Sequence, residues 1–213
     1  MTTRTTILLV ILFSILSLLL GLAAYPYMPD RIVSHWNAYG QADGFTTKII
    51  GILFIPMMIL ATGALMIFLP RLDPLRANLA GFQGSYYRIV VLMAGFLFYL
   101  QGITLAWNLG WQFNLVLALT PAFAVLFYFI GMLVEKAHRN WFIGIRTPWT
   151  MSSEIVWEKT HHLGGKLFKL CAAFTLLGML FPDYAFFFMI GPVLSISFGL
   201  IFYSYYAYQQ ESR

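Results

Sequence analysis

Charge is what this 213-residue sequence has least of. Only 10% of its residues are Asp, Glu, Lys or Arg, against a hydrophobic share of 60% and a mean hydropathy of +0.77. Soluble domains carry about 25% charged and about 45–50% apolar residues. That deficit excludes a water-facing surface, and the chain reads as an integral membrane protein. Acid is scarcer than base, with 8 Asp+Glu against 13 Lys+Arg and a net charge of +5. The bases flank the apolar runs, so they read as an orientation signal, and no direct nucleic-acid partner is expected. Cysteine is almost absent: Cys171 alone excludes an intrachain disulfide and leaves the redox compartment unmarked. Asp, Glu, Arg and His are missing from the middle of every long apolar run. Intramembrane ionisable groups mark proton relays and ion pathways, so their absence argues against ion-coupled transport.

Long apolar runs are what the sequence does have. A helix needs about 20 mostly apolar residues to cross the hydrocarbon core, and six stretches qualify: 7–25, 49–69, 89–109, 113–134, 167–181 and 184–208. The expected fold is all-α, a polytopic integral membrane protein with six transmembrane helices in a single membrane domain. The fifth stretch is short and extends back past Lys166 and Lys169, whose stems snorkel to the interface. Two links are substantial, an outer loop at 26–48 and an inner loop at 135–166. Arg31 and Lys48 are the bases on one side; the others fall in the N-terminal segment, the 70–88 link, 135–169 and the tail. The positive-inside bias then places both termini and the 135–166 loop in the cytoplasm and the 26–48 loop outside. The first run ends Gly21-Leu22-Ala23-Ala24, which mimics a signal-peptidase site. Its apolar core exceeds the about 7–15 residues of a signal peptide, so an uncleaved first span is expected.

Uncharged polar residues are few enough to be informative. Gln101, Thr104 and Asn108 share one face of the third span, in its outer half. Pro56, Pro121 and Pro192 fall at similar depth in the second, fourth and sixth spans. Kinks there would open an outward cavity beside the polar stripe; the alternative is ordinary interhelical glue. In the outer loop, Pro26 and Pro29 stop the first helix, and Asn37, Gly40 and Asp43-Gly44 are turn formers. His35, Trp36, Asn37 and Asp43 are the loop's candidates for a ligand, with His35 and Asp43 also able to pair or to hold a metal. An interfacial cap of aromatic residues is the competing reading.

The densest polar segment is 140–168, NWFIGIRTPWTMSSEIVWEKTHHLGGKLF. Pro148 disfavours helix just before it, while Ser152, Ser153 and Glu154 suit a helix start. A short amphipathic helix over 153–162, ended by Gly164-Gly165, is expected on the membrane surface, held there by Trp141, Phe142, Trp149 and Trp157. On it Glu154, Glu158, His161 and His162 fall on one face, and Glu158-x-x-His161 has the spacing of carboxylate-bridged metal sites. A divalent metal is the possible cofactor. The motif occurs once, and neither H-E-x-x-H nor a further clustered acid accompanies it, so no catalytic residue is assigned and an enzyme is the less favoured reading.

Asn140-x-x-x-Gly144-Ile145-Arg146-Thr147-Pro148-Trp149-Thr150, continued by Ser152-Ser153-Glu154-x-Val156-Trp157-x-Lys159-Thr160-His161 and Gly164-Gly165-Lys166, resembles the signature of the SdpI family of bacterial membrane proteins. The outer Tyr25-Pro26…Pro29…His35-Trp36-Asn37…Gly40…Asp43-Gly44…Lys48 is similar to the DUF1648 region that often precedes it. The resemblance implies six spans in a bacterial inner membrane and a role as an immunity protein, protecting against a secreted membrane-active peptide toxin. It further implies signalling through a cytoplasmic transcriptional repressor held at the membrane, and it brings no catalytic residues. Beside that reading stand two others: a membrane enzyme using the Glu/His cluster, and a lipid or peptide transporter.

Overall fold

The computed structural model describes residues 1–211. Its long helices are α1 (Thr3–Ala24), α2 (Lys48–Phe68), α3 (Gln83–Asn108), α4 (Leu115–Lys136), α6 (Glu154–Leu177) and α7 (Ala185–Glu211); α5 (Pro148–Ser152) is a single short turn. Six helical segments are long and apolar enough to cross a membrane. At about 1.5 Å per residue, even the 22 residues of α1 match an apolar core about 30 Å thick. Large apolar side chains such as Leu8, Leu19, Met57 and Phe202 stay exposed along them, as lipid-facing surfaces require. The chain is a multi-pass all-α membrane protein.

The helices form two three-membered groups: α1 packs with α2 and α3, α4 packs with α6 and α7, and the α3–α4 contact joins them. Small residues set the closest approaches, as expected where lipid is as apolar as the helix surface. A Cβ on Gly131 of α4 would lie 2.7 Å from the Gly165 carbonyl of α6, and one on Gly165 would lie 2.8 Å from the Gly131 carbonyl. The first group buries Val10, Ile59, Val90 and Ala94, and the second Phe127, Cys171, Ala172 and Met189.

Two local features depart from the sequence expectations. The helix expected over 153–162 and the fifth span are one continuous helix, α6. Gly164-Gly165 does not end it, because those glycines serve interhelical approach: Gly165 meets Gly131, and a Cβ on Gly164 would lie 2.6 Å from Ile145. The loop at 26–48 contains an antiparallel hairpin of β1 (Arg31–Trp36) and β2 (Ala42–Thr47), with register irregularities around His35. As expected from the spans, Pro56, Pro121 and Pro192 lie inside α2, α4 and α7. Ser14 Oγ donates to the Pro56 carbonyl at 2.9 Å, tying α1 to α2 there.

Candidate functional site

Two constellations occupy opposite ends of the helices. The hairpin lies where α1 and α3 end and α2 and α4 begin; the 140–168 segment lies at the other ends.

Hairpin geometry begins with Asn37, whose side-chain oxygen accepts from the Tyr39 and Gln41 amides at 2.9 and 3.0 Å. Gly40 completes the turn at φ +75°, against the Asn114 side chain that caps α4. Asn108, at the end of α3, grips β1 from both sides of one residue: its amide donates to the Val33 carbonyl at 3.0 Å and its oxygen accepts from the Val33 amide at 2.8 Å. Trp36 packs edge-on against Trp107, with centroids 5.6 Å apart. Ile32 is 1% exposed and seats the hairpin against Ala24, Met28, Ile52 and Leu105. On the open face, His35 Nδ1 lies 2.5 Å from Asp43 Oδ1.

Beneath this roof is a cleft of about 600 Å³ between the two helix groups. Its walls include Phe54 of α2, Leu100 and Thr104 of α3, Leu119 and Phe123 of α4, and Phe186 and Ile190 of α7, with Val33, His35, Trp36 and Asn37 above. The cleft is almost wholly apolar, with a few polar groups at its rim, which is the usual chemistry of a pocket for an apolar or amphipathic ligand. Pro56, Pro121 and Pro192 are not among its lining residues. The hairpin bridges the two helix groups above it.

The expected polar stripe has three separate roles. Thr104 lines the cleft, and Asn108 holds the hairpin. Gln101 is 0% exposed and turned toward α1, where a Cβ on Gly21 would lie 3.3 Å from its Nε2. Asp43 faces His35 rather than the cleft.

At the opposite end the 140–168 segment is a knot of satisfied backbone. Asn140 is 0% exposed and makes four bonds: Nδ2 donates to the carbonyls of His138 and Ile143, and Oδ1 accepts from the amides of Phe142 and Ile143. Gly144 sits at φ +111°, with no room for a Cβ beside the His161 ring. Arg146 donates to the Trp141 carbonyl. Thr147 and Thr150 form a reciprocal capping box with Pro148 in the first turn of α5, and Thr147 Oγ1 reaches Ser204 of α7 at 3.0 Å. Trp149 packs on Tyr205. Ser153 caps α6 and donates to Glu211.

Trp157 was expected on the membrane surface with Trp141, Phe142 and Trp149. It is instead 1% exposed, donates Nε1 to the Ala137 carbonyl at 2.6 Å, and stacks on His161 at 3.8 Å. Its neighbours in the helix repeat point it inward, because α6 packs on the end of α4 there. Lys159 stays exposed.

These contacts decide what the Glu/His face can do. His161 is 2% exposed; Nε2 accepts from the Ile145 amide at 2.9 Å, and Nδ1 donates to the Trp157 carbonyl at 2.8 Å. That pattern belongs to a neutral ring with both nitrogens committed, leaving no lone pair for a metal. Glu154 lies 3.1 Å from Arg139 Nε, while His162 faces Glu135 of α4 at 3.7 Å. Glu135 is itself 2.7 Å from Lys169. Glu154, Glu158, His161 and His162 therefore share a helix face without converging, and among the described residues no group of three or more His, Cys, Asp or Glu is placed to hold a metal ion. The residues present do not fit a divalent metal.

Sequence reasoning did not find the partners that come from elsewhere in the chain. Asp73, 2% exposed, accepts from the amides of Leu75 and Trp141, and Asn78 donates to the Arg139 carbonyl at 2.7 Å. Asp73 as the one acid in the 70–82 link was the available signal.

Residues 136–204 match the model of the SdpI/YfhL protein family, and residues 12–60 match a domain of unknown function, DUF1648. Over residues 136–204 the chain is similar to the SdpI/YfhL family. The family-matched segment holds the 140–168 knot, α5, α6 and most of α7, whereas the DUF1648 segment holds the hairpin and the adjoining parts of α1 and α2. The immunity protein SdpI of Bacillus subtilis (strain 168) is 26% identical over 156 residues, covering 73% of this chain and 72% of the relative. No solved structure matches the chain. The two matches thus fall on the two constellations described above, and Asn140, Gly144, Thr147, Ser153, Trp157, His161 and Gly164, which close the knot, lie within 136–204.

Proposed function

We propose that this protein is an immunity-type protein of the bacterial inner membrane, protecting its cell from a secreted membrane-active peptide. The observation that carries the reading is the cleft of about 600 Å³ under the hairpin. It is large enough to take apolar side chains of a peptide that is already in the bilayer. His35, Trp36, Asn37 and Thr104 at its margin supply polar groups for the peptide backbone. The match of residues 136–204 to the SdpI/YfhL family model and the similarity to an immunity protein support the same reading.

In this proposal the hairpin faces outward and the 140–168 knot faces the cytoplasm, as the distribution of Lys and Arg favours. A rigid cytoplasmic end is then the surface on which a transcriptional repressor would dock. Deleting the gene is expected to sensitise cells to the cognate peptide, with protection restored by the wild-type chain. Unchanged survival of the deletion strain across a panel of secreted membrane-active peptides contradicts the proposal.

A further inference from the structure

Two cavities adjoin at the knot end of the first helix group, and Ile67 and Arg71 line both. One is an apolar groove of about 360 Å³ between α1 and α2, lined by Val10, Ile11, Leu60 and Ala64. The other, of about 350 Å³, lies just past the end of α2 and is bordered by Arg71, Arg76, Thr3 and Gln83. An apolar groove along the helices thus adjoins a pocket with two guanidinium groups.

Neither arginine takes part in any of the ion pairs among the described residues. The nearest acid in sequence, Asp73, does not neutralise them: it is 2% exposed, and its two oxygens accept from the Leu75 and Trp141 amides. The Tyr87 hydroxyl, bonded to Thr3 at 2.8 Å and to Gln83 at 3.2 Å, fixes the neutral polar wall. Guanidinium groups match phosphate oxygens in geometry and charge, and basic residues at the end of a spanning helix attract anionic lipid headgroups.

We propose that this pair of cavities is a binding site for an anionic phospholipid, with the phosphate at Arg71 and Arg76 and one acyl chain in the α1–α2 groove. Adjacency of the groove to the basic pocket, with Ile67 and Arg71 lining both, selects a lipid over a soluble anion, since a free phosphate would leave the apolar half unused. The site is separate from the hairpin cleft and does not depend on the immunity reading.

The test uses the full-length protein purified in neutral detergent, with phosphatidylglycerol, phosphatidylcholine or inorganic phosphate added, read by native mass spectrometry and thermal unfolding. Phosphatidylglycerol is expected to be retained and to raise the unfolding temperature, while phosphatidylcholine and phosphate do neither. Arg71→Gln with Arg76→Gln is expected to weaken phosphatidylglycerol binding about thirtyfold, from roughly fivefold per arginine at a membrane surface. Lys159→Gln, a remote exposed base, leaves it unchanged. Ala64→Phe, which fills the groove with both arginines in place, also weakens it. Equal retention of phosphatidylcholine, a full effect from phosphate alone, or unaltered binding in the double arginine variant or in Ala64→Phe overturns the proposal.

Discussion

Single residues in the knot act as connectors whose loss cannot be absorbed locally. Asn140 uses both faces of its amide, and only an amide offers two donors and an acceptor there. Asn140→Asp keeps the shape, removes both donors and sets a charge against two carbonyls, so a loss of about 3 kcal/mol or more is expected. Thermal unfolding in detergent checks this, and Asn140→Asp should unfold well below wild type. Gly144 presents a different constraint. At φ +111°, any side chain is strained, and a Cβ would run into the His161 ring. Gly144→Ala should cost about 1–3 kcal/mol from the backbone conformation alone, with a further cost from displacing His161. Loss of Trp157–His161 stacking would show as a change in tryptophan fluorescence.

The residue scale is also where sequence reading was weakest. Helical spacing correctly gathered Glu154, Glu158, His161 and His162 on one face. Spacing does not say what packs on the edge of that face, and the Ile145 amide together with the Trp157 carbonyl claims His161. Asn108 was found as a polar residue on a membrane helix, but its partner is the backbone of Val33, 75 positions away, and no local pattern carries that information.

At the scale of elements, the spans were legible because hydropathy over 20 residues is a strong signal. The helix boundaries of α6 were not. A Gly-Gly pair reads as a helix end in water, whereas in a membrane bundle it marks the point where two backbones approach. The hairpin was equally hidden: its strands are short, and β2 contains Asp43 and Gly44, both poor strand formers. Asn108 should therefore control the hairpin more than any residue within it. Asn108→Ala leaves the Val33 amide and carbonyl without that partner, a local cost of about 1–3 kcal/mol. Hydrogen exchange should report faster exchange across β1 with α5 and α6 unchanged; equal protection of β1 in the variant contradicts the bracing role.

At the scale of the whole molecule, two helix groups pack together through α3 and α4, with a cleft on the hairpin side and a closed knot on the other. The proposed orientation is directly testable because the native Cys171 is 1% exposed and gives little labelling background. Tyr39→Cys at the hairpin tip should react with a membrane-impermeant maleimide in intact cells. Lys159→Cys should react only after permeabilisation. The reverse pattern would invert the molecule and place the cleft on the cytoplasmic side.

The central claim is that protection runs through the cleft under the hairpin. It is tested most directly by survival of the deletion strain carrying Leu119→Trp, a substitution that fills the cleft from α4, under challenge by the cognate peptide. The account predicts a protein present in the membrane at the wild-type level, with Arg71, Arg76 and the knot intact, and protection lost. Full protection by Leu119→Trp at that same level would contradict it.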